Sequence, residues 1–188
     1  MNGDTMRKLQ IGVMGSAADL QYSDAVEALA EQVGALIAKN NATLIFGAEK
    51  DSDSLSTAAC RGAKKEGGFT IGITYGKGKK IWDNSVADAV IATGLERGGG
   101  RETSLVLSCD AVIAISGGSG TLTELAIAYQ ANIPIVAVTG VGGWSDRLAG
   151  EYMDDRRRVS AIAVSTASEA VDAAISSAKD YVAAEMSD

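Results

Sequence analysis

Ala111-Val112-Ile113-Ala114-Ile115-Ser116-Gly117-Gly118-Ser119-Gly120-Thr121-Leu122-Thr123-Glu124-Leu125-Ala126 reads as strand, glycine turn and helix in immediate succession. The first five residues are an unbroken apolar run, the pattern of a strand buried on both faces. The residues after the turn carry a helical spacing. A helix start offers unpaired N–H groups and a partial positive charge. Glycines let an anion approach that backbone without a steric penalty. The segment is therefore the candidate anion-binding site, with Gly117, Gly118, Ser119, Gly120 and Thr121 as its cradle and Glu124 one turn beyond.

The same alternation extends outward in both directions. Apolar runs at 9–14, 43–46, 70–74, 89–92, 133–138 and 160–164 read as further strands. Helical spacing covers 23–39, 54–65, 101–108, 121–131, 144–152 and 168–186. Strands alternating with helices imply an α/β fold: a single Rossmann-like domain over residues 1–188, with a parallel sheet of six to seven strands and helices on both faces. Residues 1–7 and 187–188 are expected to fray. Ligands of such sheets bind outside the carboxyl ends of the strands. The loops that qualify are 15–19, 47–54 and 116–121.

Composition narrows the function. The 188 residues carry a net charge of −7, which argues against a nucleic-acid surface. There are no histidines, so histidine metal sites and histidine-based triads are excluded. The two cysteines, Cys60 and Cys109, lack metal spacing and read as buried reduced thiols. No metal and no resident cofactor are expected. No stretch approaches the roughly 20 apolar residues of a membrane span, and no leader pattern opens the chain, so the cytoplasm is the expected location.

Each motif has a plainer reading beside the functional one. Thr121-Leu122-Thr123-Glu124 also fits a capping box, and Thr166-Ala167-Ser168-Glu169 repeats that pattern without any glycine run. Three glycines within Gly117–Gly120 favour a ligand, because a strand-to-helix turn needs about one. Gly98-Gly99-Gly100-Arg101 reads as a flexible loop, or as a guanidinium brought back beside the cradle and Glu124. Gly12-x-x-Gly15-Ser16 fits a tight turn; Gly15 and Ser16 could instead line the ligand. Asp53 or Ser54 fits a helix cap, with a carboxylate at the site rim as the alternative. Lys77, Lys79 and Lys80 read as a solvated loop or as a basic rim that gathers anions. Trp82 and Trp144 fit core packing or the sheet's carboxyl edge.

The stretch 116–124 resembles the Pro-Gly-Gly-x-Gly-Thr-x-x-Glu signature of the LOG family, nucleoside 5′-monophosphate phosphoribohydrolases long misnamed lysine decarboxylases. That family carries an arginine fifteen residues before the signature, as Arg101 stands before Ser116 (116 − 101 = 15). The resemblance runs from Ile11 to about Val138. A closer likeness, through Gly100-Arg101, Leu105-Val106 and Asp110–Ile115, is to a short branch related to the molybdenum-cofactor carrier proteins, which bind a phosphorylated pterin without turnover, and more distantly to DprA. The resemblance implies a phosphorylated small-molecule ligand, either a nucleoside monophosphate or a phosphorylated pterin. It implies Arg101 and Glu124 as catalytic residues if the N-glycosidic bond is hydrolysed, and a homodimer or higher homo-oligomer. Three positions depart from the LOG pattern. Ser116 replaces the signature's proline. Glu102 replaces a lysine. The loop Gly47-Ala48-Glu49-Lys50-Asp51-Ser52-Asp53 replaces three glycines.

Overall fold

The computed structural model describes residues 7–98 and 100–187. Seven strands and six helices alternate among them: β1 (Gln10–Gly15), α1 (Asp24–Lys39), β2 (Thr43–Gly47), α2 (Leu55–Lys65), β3 (Phe69–Thr74), β4 (Ala89–Ala92), α3 (Gly100–Leu107), β5 (Ala111–Ile115), α4 (Ser119–Gln130), β6 (Ile135–Val138), α5 (Gly143–Leu148), β7 (Ile162–Val164) and α6 (Ala167–Glu185). All strand pairs are parallel, in the order β4-β3-β2-β1-β5-β6-β7. The chain leaves β1 toward one edge, then returns to place β5 on the other side of β1. That reversal opens a crevice between the carboxyl ends of β1 and β5, where Gly15 pairs with Ile115.

Strand periodicity sorts the core into two layers. Ile11, Val13, Ile113 and Ile115 pack under α1, α2 and α6. Met14, Val112 and Ala114 pack under α3, α4 and α5. Every residue of β5 is buried, so its lack of polar alternation follows from having helices on both faces. Cys60 and Cys109 are free and buried, and burial pushes both thiols up, which keeps them protonated.

Several local expectations shift. Ser54 caps α2 by accepting from Thr57 N–H at 3.1 Å. Asp53 is engaged by Arg61 at 3.0 Å, and Arg61 also pairs with Glu27 and Glu31 on α1. The expected helix 144–152 ends at Leu148. Thr166 and Glu169 do form a capping box at α6. Thr121 and Glu124 do not, because α4 begins two residues earlier with Gly118 in the cap position. Of the expected fraying residues, Arg7 is bound by Asp110 at 2.6 Å; residues 1–6 and 188 lie outside the described residues, as does Gly99 of the glycine loop.

Candidate functional site

The glycine turn is shaped by backbone that few residues adopt. Ser116 has φ +59° and Gly117 φ +101°. A Cβ on Gly117 would lie 2.5 Å from the Thr121 side chain, so the turn folds flat against the first helical turn. The departure from the signature's proline follows from the same geometry. Ser116 N–H donates to Ser145 Oγ at 2.8 Å, and proline could neither donate nor reach a positive φ. The start of α5 braces the turn from behind, with Trp144 N–H donating to Gly117 O and Ser145 N–H to Ser116 O, both at 3.0 Å.

Ser16 ties β1 to this turn across the switch point. Its Oγ accepts Gly117 N–H at 2.8 Å and donates to Ser116 Oγ at 3.1 Å. Ser16 and Gly117 thus stand behind the wall of the crevice with their polar groups satisfied by each other, rather than lining the ligand space. Ser16→Ala would leave the buried Gly117 N–H without a partner and cost about 1–3 kcal/mol. An unchanged urea midpoint would count against this lock.

In front of the wall lies a cleft of about 450 Å³. Gly15, Gly118, Ser119, Gly120, Thr121, Arg101 and Glu124 all line it. No side chain caps the start of α4. Ser119, Gly120 and Thr121 occupy its first three positions, whose N–H groups have no carbonyl one turn earlier to bond. Leu20, on a single 3-10 turn after β1, is 54% exposed and presents an apolar surface to the same space.

The opposite wall is charged. Arg101, on the first turn of α3, is only 5% exposed, and its guanidinium lies over the Cα of Gly47 at the end of β2. A Cβ at residue 47 would meet Nη1 at 1.9 Å, so only glycine admits the arginine there. Arg101 Nη2 contacts Glu49 at 3.0 Å and Glu102 at 3.3 Å, while Nε is buried without a hydrogen-bond partner. Glu102 also accepts Gly98 N–H at 3.1 Å, which clamps the loop before α3. Where the LOG pattern has a lysine, this chain has a loop clamp.

Glu124 is 8% exposed. Burial pushes its carboxyl up to about 7; Arg101 opposes the shift, and Glu102 and Glu49 add to it. It therefore exchanges a proton near neutrality. Sequence reasoning brought Arg101 and Glu124 to one cleft and marked Glu102 and the Glu49 loop as departures from the LOG pattern, but it did not single out Arg97. Arg97 ion-pairs with Glu49 and lines the cleft mouth. Trp82 lies outside the cleft lining, and its backbone N–H donates to Glu49 O at 2.7 Å. Asp51 accepts from Tyr75 Oη at 3.1 Å and, like Asp53, does not line the cleft. Among the described residues no group of three or more cysteine, aspartate or glutamate side chains is placed to hold a metal ion, and no helix is long and apolar enough to cross a membrane.

Comparison with known proteins places these features in a family. The sequence model of the SLOG cluster4 family matches residues 8–171. An uncharacterized protein of Archaeoglobus fulgidus is 37% identical over 125 residues, covering 66% of this chain and 76% of that protein. The molybdenum cofactor binding protein from the phototrophic bacterium Rippkaea orientalis superposes with a TM-score of 0.76 at 31% identity, over 92% of this chain and 98% of that one. The molybdenum cofactor carrier protein from Chlamydomonas reinhardtii gives a TM-score of 0.68 at 28% identity, over 94% and 99%.

Proposed function

The chain belongs to the SLOG cluster4 family, and from that premise we propose that it binds a phosphorylated heterocycle and carries it without turnover. The observation that carries this reading is the uncapped start of α4 opening onto a cleft with an apolar side chain at one wall and buried carboxylates at the other. The N–H groups of Ser119, Gly120 and Thr121 suit a phosphate. Leu20 offers a surface for a flat ring. Glu124 and Glu49 suit N–H donors on the ring edge. The cargo chemistry that fits all three is a phosphorylated pterin such as the molybdenum cofactor, the ligand named for the Rippkaea and Chlamydomonas proteins.

Two further features support binding over hydrolysis. Cleavage of an N-glycosidic bond builds positive charge on the ribose and needs a stabilising carboxylate together with an acid for the leaving base. Here Arg101 is held by Glu49 and Glu102, so it is not free to assist the leaving group. Glu124 can serve as acid or as charge stabiliser, but not as both at once. One observation favours the hydrolase reading: a carboxyl with a pKa of about 7 suits a general acid.

The two readings separate in one experiment. The protein is incubated with a panel of nucleoside 5′-monophosphates, and free base is followed by chromatography. In parallel, purified molybdenum cofactor is passed with the protein through gel filtration. We expect cofactor retention and no base release. Base release that vanishes in Glu124→Ala would replace the carrier reading with a phosphoribohydrolase. Neither retention nor release would overturn both.

A further inference from the structure

A second pocket, of about 200 Å³, lies at the carboxyl ends of β2 and β3, and its lining shares no residue with that of the cleft. Lys50, Lys77 and Lys80 line it together with Thr74, Tyr75 and a single carboxylate, Glu96. In an acidic chain, lysines normally find partners, and Lys39, Lys64 and Lys65 do so on the helical surface. Lys50, Lys77, Lys79 and Lys80 take part in no ion pair among the described residues. Four ammonium groups outside any such ion pair thus stand on the two loops that follow β2 and β3, at the edge of the sheet where ligands of this fold bind.

The loop after β3 is fixed in shape. Thr74 Oγ1 donates to Gly78 O at 2.7 Å. Gly76 N–H donates to Leu95 O at 2.8 Å, and Gly94 N–H donates to Gly76 O at 2.9 Å, which stitches residues 74–78 to 94–95. Gly76 has φ +62°, a left-handed bend that favours glycine just before Lys77. Tyr75 is anchored through its hydroxyl to Asp51 and Arg97, and Lys50 Nζ sits 5.1 Å from its ring centroid. Lys50 is thereby held toward the pocket by a cation–π contact.

We propose that this pocket is a second oxyanion site, of the phosphate class, distinct from the start of α4. Lysine binds phosphate as a point charge, and three such charges against one carboxylate leave a local excess that a compact dianion neutralises. The pocket stands two to three strand spacings from β5, roughly 10–14 Å from the glycine turn. An anion here is therefore not the phosphate held at α4. It is either a free oxyanion or a second anionic arm of a long ligand whose first phosphate lies there. The assignment does not depend on the reading of the main cleft.

The test is calorimetric titration of the full chain with inorganic pyrophosphate at low salt. We expect saturable binding that falls at least tenfold in the double variant Lys77→Glu, Lys80→Glu. Both lysines are exposed, so the fold is retained. Gly120→Val puts a branched side chain into the open space of the main cleft; it is expected to weaken any pyrophosphate bound at α4 and to leave the lysine-dependent binding step unchanged. Adenosine 5′-monophosphate and adenosine 5′-tetraphosphate then identify the source. A tetraphosphate advantage that either variant erases marks an arm of one ligand. Pyrophosphate and monophosphate bound together, with no tetraphosphate advantage, mark a free oxyanion. Pyrophosphate binding that is unchanged in the lysine variant, or that is wholly abolished in Gly120→Val so that no lysine-dependent step is left, would overturn the site. Failure of the carrier reading would appear in the cofactor and nucleotide experiments alone.

Discussion

Replacing Glu124 by Gln stabilises the protein at pH 8 by roughly 3 kcal/mol and has little effect at pH 4. The sign follows from where the proton sits. An unfolded glutamate loses its proton near its ordinary pKa of 4.5, whereas the folded Glu124 keeps it until about 7. Between those values the folded state binds more protons than the unfolded state, so stability falls as pH rises through the window. Above about 7 the buried charge exerts its full penalty; below about 4.5 both states are neutral and the penalty is gone. Glutamine preserves the shape and has no proton to lose. Urea denaturation at both pH values reads the difference, and equal midpoint changes at pH 4 and pH 8 would show that Glu124 is not held near neutrality.

Gly34→Ala destabilises the fold by about 3 kcal/mol or more, and Gly62→Ala does the same. These glycines make the crossing of α1 and α2. A Cβ on Gly34 would lie 1.7 Å from Ala59 O, and a Cβ on Gly62 would lie 1.8 Å from Glu31 O. The obstacles are backbone carbonyls of the facing helix, so no rotamer change relieves them and the helices must separate. The better helix propensity of alanine returns at most about 1 kcal/mol. Separation would also loosen Arg61 from Glu27 and Glu31 across the same interface. Gly120→Ala is the control, because its new methyl enters open space in the first turn of α4. A thermal scan in which Gly34→Ala melts with the parent would mean that the helices are less closely packed than the structure has them.

The legible parts of this protein were those decided within a few residues of chain. The run 111–115 is apolar throughout because β5 is covered on both faces, and that signal survives without any knowledge of the neighbours. The box at Thr166 and Glu169 was legible for the same reason, since both partners lie within one helical turn. The same spacing at Thr121 and Glu124, weighed there as the plainer alternative, forms no capping box. The start of α4 is set by Gly117 turning at φ +101° and packing against Thr121, and its carboxylate faces another element. The sequence singled out Arg101, but its ion pair with Glu49 joins residues on α3 and after β2, which only the sheet brings together.

By itself, then, the sequence determined the alternation of strands and helices, the parallel sheet, and the glycine turn that leads from β5 into α4. Periodicity and glycine chemistry are local, and the backbone obeys them wherever the rest of the chain goes. Tertiary structure alone decided which polar groups remain available in the cleft. It joined Ser16 to Gly117, which removed both from the cleft wall. It set Arg101 between Glu49 and Glu102, and it buried Glu124 deeply enough to hold a proton near pH 7. Those outcomes depend on distances between residues far apart in the chain and on the water excluded between them, and neither is written in the spacing of letters.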